Sequence, residues 1–152
     1  MKLEKVDPKQ TDSIAELVRI SKEAFDTDIS VGAQEPGGPP DYDSVEWHVQ
    51  MAKEGHLFKA TVEENIVGGA LLFFDEQKQW LYVGRIFIDS RYHRQGYGAE
   101  LTELVESVYP DAKAVFLDTP LWNVRTNAFY QRLDYQKYKQ DDEFAYYQKT
   151  LK

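Results

Sequence analysis

The chain has no cysteine among its 152 residues. That excludes disulfides, thiolate metal ligands and any acyl-cysteine intermediate. No apolar run approaches the ~20 residues that a membrane-spanning helix needs, so no membrane partner is expected. The first residues, MKLEKVDPKQTDSIAELV, lack the continuous apolar centre of a secretory signal, and a cytoplasmic location is expected. Positive charge is also scarce: 18 Lys and Arg stand against 26 Asp and Glu, a formal net charge of −8. Nucleic-acid binding needs a basic surface and is not expected here. The acidity suits an amine ligand, and equally suits plain solubility. There is no repeat, low-complexity tract or linker, and the length fits one domain over residues 1–152.

Hydrophobic residues make up 42% of the chain and aromatics 14%, enough for a packed core. Lys2–Val6 alternates as a short strand. Thr11 or Asp12 is placed to cap a helix whose apolar face is Ile14, Leu17, Val18 and Phe25. The stretch Asp26–Asp43 holds Gly37-Gly38-Pro39-Pro40 and forms neither helix nor central strand. A second helix is predicted over Ser44–Lys53, with Val45, Val49 and Met51 for packing. Leu57–Val62 and Ile66–Phe74 read as a hairpin, and Gly68-Gly69 marks a bulge or the close approach of another backbone. Leu81–Ile88 is an apolar run that suits a strand buried on both faces. From Ala99, Leu101, Leu104, Val105 and Val108 recur at helical spacing. A short strand at Ala114–Leu117, a helix at Asn123–Arg132 and a hairpin of Tyr135–Tyr138 with Phe144–Thr150 complete the order. This predicts an α/β fold: a mixed, mostly antiparallel sheet with helices on both faces.

The loop between the apolar strand and its helix carries Arg91, Tyr92, His93, Arg94, Gln95, Gly96, Tyr97 and Gly98. Glycines admit an anion close to the backbone, and the first amides of a helix have no partner inside it. Taken alone, Gly96 and Gly98 serve a tight turn as readily. The loop is not a Walker A sequence, and Leu101 stands where a dinucleotide fingerprint has its third glycine. It resembles the acetyl-CoA signature of GNAT superfamily N-acetyltransferases, Gln/Arg-x-x-Gly-x-Gly/Ala after a strand, with His93 at the Gln/Arg position. A second block, Asn123 to Tyr135, resembles the family's Asn-x-x-Ala-x-x-x-Tyr-x-x-Leu-Gly-Phe. Thr126 replaces the alanine, Asp134 the glycine and Tyr135 the phenylalanine. The topology resembles the GNAT fold over nearly the whole chain.

That resemblance implies acetyl-CoA as acetyl donor and an amine as acceptor, without a metal and with a homodimer left open. It implies CoA contacts from Phe87, Ile88, His93, Arg94, Gln95, Gly96, Tyr97, Gly98, Ala99, Asn123 and Tyr130. The Ile88 amide would receive the acetyl oxygen, and Tyr130 would protonate the departing thiolate. Without the family pattern Tyr130 reads as a core tyrosine. Many family members carry a carboxylate on the central strand. Here Gly84 holds that position, so Glu46, His48, Asp118 or a water chain are left as base candidates. Arg85, amid apolar neighbours, needs a partner: an internal acid such as Asp118, or a substrate carboxylate. The expected acceptor site is the Phe25–Trp47 region, with Asp28, Glu35, Asp41 and Asp43 attracting an amine. The expected activity is acetyl transfer to a small-molecule amine. A non-catalytic acyl-CoA-binding module and a protein N-acetyltransferase are the alternatives.

Overall fold

The computed structural model describes residues 1–27 and 37–152. In chain order these form β1 (Lys2–Lys5), α1 (Thr11–Asp26), α2 (Val45–Lys53), β2 (Leu57–Val62), β3 (Asn65–Asp75) and β4 (Trp80–Ile88). A 3-10 turn (Ser90–Tyr92), α3 (Tyr97–Ser107), β5 (Ala114–Pro120), α4 (Val124–Arg132), β6 (Gln136–Gln140) and β7 (Phe144–Thr150) come next. The strands make one seven-stranded sheet in the order β1-β2-β3-β4-β5-β7-β6. All neighbours are antiparallel except β4 and β5. The mixed, mostly antiparallel architecture read from the sequence is the one adopted.

Successive side chains on a strand point to opposite faces, and here they feed two cores. Phe58, Ala70, Leu72 and Leu81 pack with Leu101 and Val105 of α3. Leu57, Leu71 and Phe87 pack with Ile14, Leu17 and Val18 of α1 and Ala52 of α2. Helix α1 presents Ile14, Leu17, Val18 and Ser21, a stripe of helical period, to that second core. Neither Thr11 nor Asp12 caps it. Gln10 is the cap residue, and its side chain instead accepts from the Asp7 amide in the preceding turn. Ser44 caps α2 through the Trp47 amide; His48 and Ala52 are buried, Val49 and Met51 pack against the second core as expected, and Val45 is exposed. Asp134 ends α4 with φ of 70°, the left-handed conformation that Asp tolerates better than most non-glycine residues. Among the described residues no helix is long and apolar enough to cross a membrane.

Strand β4 departs from the expected double burial. Tyr82 and Gly84 are exposed, because the ring beside Tyr82 is Phe116 of β5 rather than a covering helix. Leu71 pairs with Arg85 and Leu72 with Val83, which makes Gly84 an extra residue on β4. Such a bulge reverses the sidedness of every later residue on the strand. Leu81 and Val83 face the α3 core before it; Ile86 and Ile88 face that core after it, and Phe87 faces α1. At Gly68 an added Cβ would lie 2.3 Å from the Phe87 carbonyl oxygen, the close approach expected there. The parallel pairing of β4 with β5 covers only Trp80↔Ala114, Leu81↔Val115 and Tyr82↔Phe116. Beyond it β4 stays with β3 and β5 with β7, so a wedge opens between them.

Candidate active site

The wedge widens into a cavity of about 820 Å³. Its walls are residues 83–88 of β4 and 117–120 of β5, with Asn123, Arg125, Thr126 and Tyr130 beside β5. Ala24 and Phe25 of α1 and the segment 37–40 line it on the α1 side. The Asp89 amide donates to Val67 of β3 at 2.8 Å. Strand alternation then turns the Ile88 amide and carbonyl away from β3, toward the wedge. His93, also in the cavity wall, lies with Nε2 3.0 Å from the Ile88 carbonyl oxygen, to which it donates.

The loop after β4 begins as the 3-10 turn, in which the Asp89 side chain accepts from the Arg91 amide. Arg94 and Gly96 then take positive φ, 67° and 79°. Gly96 is the cap position of α3, and its carbonyl receives the first helical bond, from Glu100. Among the described residues, the amides of Arg94, Gln95, Gly96, Tyr97, Gly98 and Ala99 meet no protein acceptor. Such a row at a helix start is a ready anion site. The two glycines differ. Gly96 needs its left-handed backbone, whereas at Gly98 an added Cβ would only reach ordinary contact with the Phe129 ring, at 3.4 Å.

On the opposite wall Asn123 is buried, and its Oδ1 accepts from the Thr126 amide as the cap of α4. Only its amide nitrogen is left to donate to a ligand. The ring of Tyr130 packs against Phe129, Tyr135 and Tyr147. Among the described residues its hydroxyl has no hydrogen-bond partner. Burial first, and then the Asp118 charge, push its pKa up to about 12. It therefore holds its proton at neutral pH. Asp118 is the sole carboxylate among the described residues lining the cavity. Burial and the neighbouring Asp141 raise its pKa above the ordinary carboxylate value.

The other sequence candidates are placed differently. His48 is fully buried rather than a surface histidine. Its Nδ1 lies 2.6 Å from the Ser44 carbonyl, its Nε2 has no partner, and it does not line the cavity. Glu46 is exposed and outside the cavity. The expected pairing of Arg85 with Asp118 is not formed. The two sit on separate strands across the wedge, and Arg85 reaches the other way. Its guanidinium lies 4.4 Å from the Trp47 ring and donates through Nη2 to the Pro40 carbonyl. Nη1 is buried without a partner. Of the Phe25–Trp47 region, Phe25 and 37–40 line the cavity; Asp41 and Asp43 are exposed and do not, and Asp28 and Glu35 lie outside the described residues.

One residue that sequence reasoning passed over anchors the loop. The Asp89 side chain, with no exposure, bonds Arg91 at 2.7 Å and Arg19 of α1 at 3.1 Å. These bonds overcome the effect of burial and hold its pKa at about 2. The available signal was an Asp directly before a Ser in a turn. Among the described residues no group of His, Asp and Glu could hold a metal ion.

Several solved structures share the fold. The PaiA N-acetyltransferase of Thermoplasma acidophilum, a complex with coenzyme A, superposes with a TM-score of 0.76 at 13% identity, over 99% of this chain and 98% of that one. An acetyltransferase of Thermus thermophilus gives 0.77 at 15% identity, over 99% and 96%. The ribosomal-protein-S18-alanine N-acetyltransferase of Escherichia coli gives 0.68 at 13% identity, over 98% and 92%. No curated protein matches the chain by sequence. The family model described as the acetyltransferase (GNAT) family matches residues 14–135, which takes in the wedge, the amide row and Tyr130. The chain belongs to the acetyltransferase (GNAT) family.

Proposed function

We propose that the protein transfers an acetyl group from acetyl-CoA directly to a primary amine of a small molecule. The observation that carries this reading is the β4–β5 wedge, which joins a row of free amides to a cavity with Tyr130 and Asp118 on one wall. The amides of Arg94–Ala99 hold the pyrophosphate, the Asn123 amide nitrogen and the wedge edges hold the pantetheine arm, and Phe87 and Ile88 flank the thioester. The Ile88 N–H receives the charge that grows on the acetyl oxygen as the amine attacks, a fixed donor aimed where charge develops. Asp118 takes the proton of the ammonium, its raised pKa making it a better acceptor than an ordinary carboxylate. Tyr130, which holds its proton at neutral pH, gives it to the thiolate as the C–S bond breaks, and the second N–H proton of the attacking amine restores the phenol. No thiol exists to carry the acetyl group, so transfer takes place in a ternary complex.

The ribosomal-protein acetyltransferase among the similar folds keeps a protein amine as the second reading. Thiol release from acetyl-CoA, measured with polyamines, aminoglycosides, amino acids and peptides with free amino termini, tests both. Turnover with a free small amine supports the proposal. Turnover with peptides alone supports the second reading, and none with any amine overturns both.

A further inference from the structure

A guanidinium is an expensive group to bury. It stays charged at every pH a protein meets, and inside a protein it needs an anion or a full set of acceptors. Arg85 has neither. Trp47 offers a ring face and Pro40 one neutral carbonyl. Nη1 is shut off from water with no acceptor among the described residues. Among the described residues no carboxylate forms an ion pair with it; Asp41 is close enough only to be felt through space. The bulge at Gly84 sets Arg85 on the α1 side of β4, in the cavity wall, with the segment 37–40 beside it. Asp118 of β5 lines the same cavity, across the wedge.

We infer that Arg85 is the receptor for a carboxylate on the acceptor, so that the acceptor is a free amino acid or a close relative carrying both groups. This rests on the acetyl-transfer reading of the same cavity. A guanidinium suits a carboxylate with charge-assisted bonds; Nη2 is held by the Pro40 carbonyl and Nη1 is covered, so the acceptor's carboxylate displaces the 37–40 contact to reach them. Asp118 on the opposite wall takes the ammonium end, so the cavity sets a positive charge at Arg85 and a negative one at Asp118 for a zwitterion. A phosphate is a poorer fit, because a dianion would meet the Asp118 carboxylate in the same cavity and a protein of net charge −8. Arg85 acts here as a specificity residue: it grips the acceptor away from the reacting atoms.

The test compares amino acids with their decarboxylated amines and their amides, for example phenylalanine with phenethylamine and phenylalaninamide. Two readings are taken on the wild type, Arg85→Lys and Arg85→Gln. One is calorimetric binding to protein saturated with CoA, and the other is kcat/KM with acetyl-CoA. The wild type should prefer the carboxylate-bearing member of each pair. In Arg85→Gln that preference should collapse by roughly 10–100-fold, the worth of a charge-assisted bond. Arg85→Lys, with charge but no fork, should recover part of it. The melting temperature of Arg85→Gln should not fall, since an unpaired buried charge is removed. Equal binding of both members by the wild type, or equal losses for both in Arg85→Gln with a lowered melting temperature, would overturn the inference. Transfer to decarboxylated amines without a carboxylate preference sinks this inference alone. Carboxylate-dependent binding without transfer to any amine sinks the transfer reading and leaves the receptor standing.

Discussion

At the scale of single residues the reading rests on two proton carriers. Tyr130→Phe removes one hydroxyl that has no partner among the described residues, so folding and CoA affinity should survive. Turnover should fall by roughly 10²–10⁴-fold, the loss expected for a general acid. Stopped-flow thiol release beside calorimetry of CoA binding checks this; near wild-type turnover across the pH range would sink the acid role. Asp118→Asn should also lose turnover, but not equally at every pH. At low pH the acceptor arrives as an ammonium and needs the carboxylate. At pH values where the amine is already neutral, the variant should recover much of the difference. A loss of the same factor at pH 7 and pH 10 would assign Asp118 to another task. Tyr130 and Asn123 were legible in the sequence because each falls in a spaced motif. Arg85 was legible as an oddity, a charge in an apolar run, but not by its surroundings. Its sidedness is set by the Gly84 bulge, which no residue type announces; on that side its guanidinium meets Trp47 and Pro40 rather than Asp118.

At the scale of elements the loop before α3 depends on Asp89 more than on its arginines. The depressed pKa of Asp89 fixes the sign of its pH effect. Its stabilisation is fully present above the ordinary carboxylate value of 3.8 and is lost as pH falls toward about 2. Asp89→Asn should lower stability at pH 7 by about 1.5–3 kcal/mol and should flatten the acid limb of a stability–pH curve from urea melts. An unchanged acid limb would remove Asp89 from that role. Within the same element Gly96→Val forces a β-branched residue to φ of 79° and should weaken CoA binding much more than Gly98→Ala, whose Cβ has room beside Phe129. The segment after residue 36 is tied to α1 by bonds from Ser21 to the Tyr42 carbonyl and from the Tyr42 hydroxyl to Asp26. At Gly38 an added Cβ would sit 2.7 Å from the Phe25 Cβ. Gly38→Leu should therefore push the segment off α1 and raise KM for the amine more than KM for acetyl-CoA; equal rises in both would speak for general unfolding. The elements themselves were largely readable, since the apolar periods of α1, α3 and the strands are strong. Helix starts were less so: Thr11 and Asp12 look like caps, yet the Asp7-Pro8 turn engages Gln10 and settles the start there.

At the scale of the whole molecule, the sheet is joined across its middle by little more than the pairs between residues 80–82 and 114–116. To one side lies everything up to α3 on β1 to β4; to the other lie β5, α4, β6 and β7. The order of strands was legible because each segment alternates or clusters as strands do, but the early end of that seam was not, since the strand read over Ala114–Leu117 runs on to Pro120 with β4 no longer beside it. A fold with so narrow a weld is two leaves on a short spine. Whatever fills the gap between the leaves also decides how firmly they stay together, so a pantetheine arm bound there would do the work of the missing hydrogen bonds. Amide exchange at residues 83–88 should slow on adding CoA by more than the general tightening of the protein explains, and the leaf of β5, β7 and β6 should open first when the ligand is withdrawn. Here the donor would be a substrate and a splint at once.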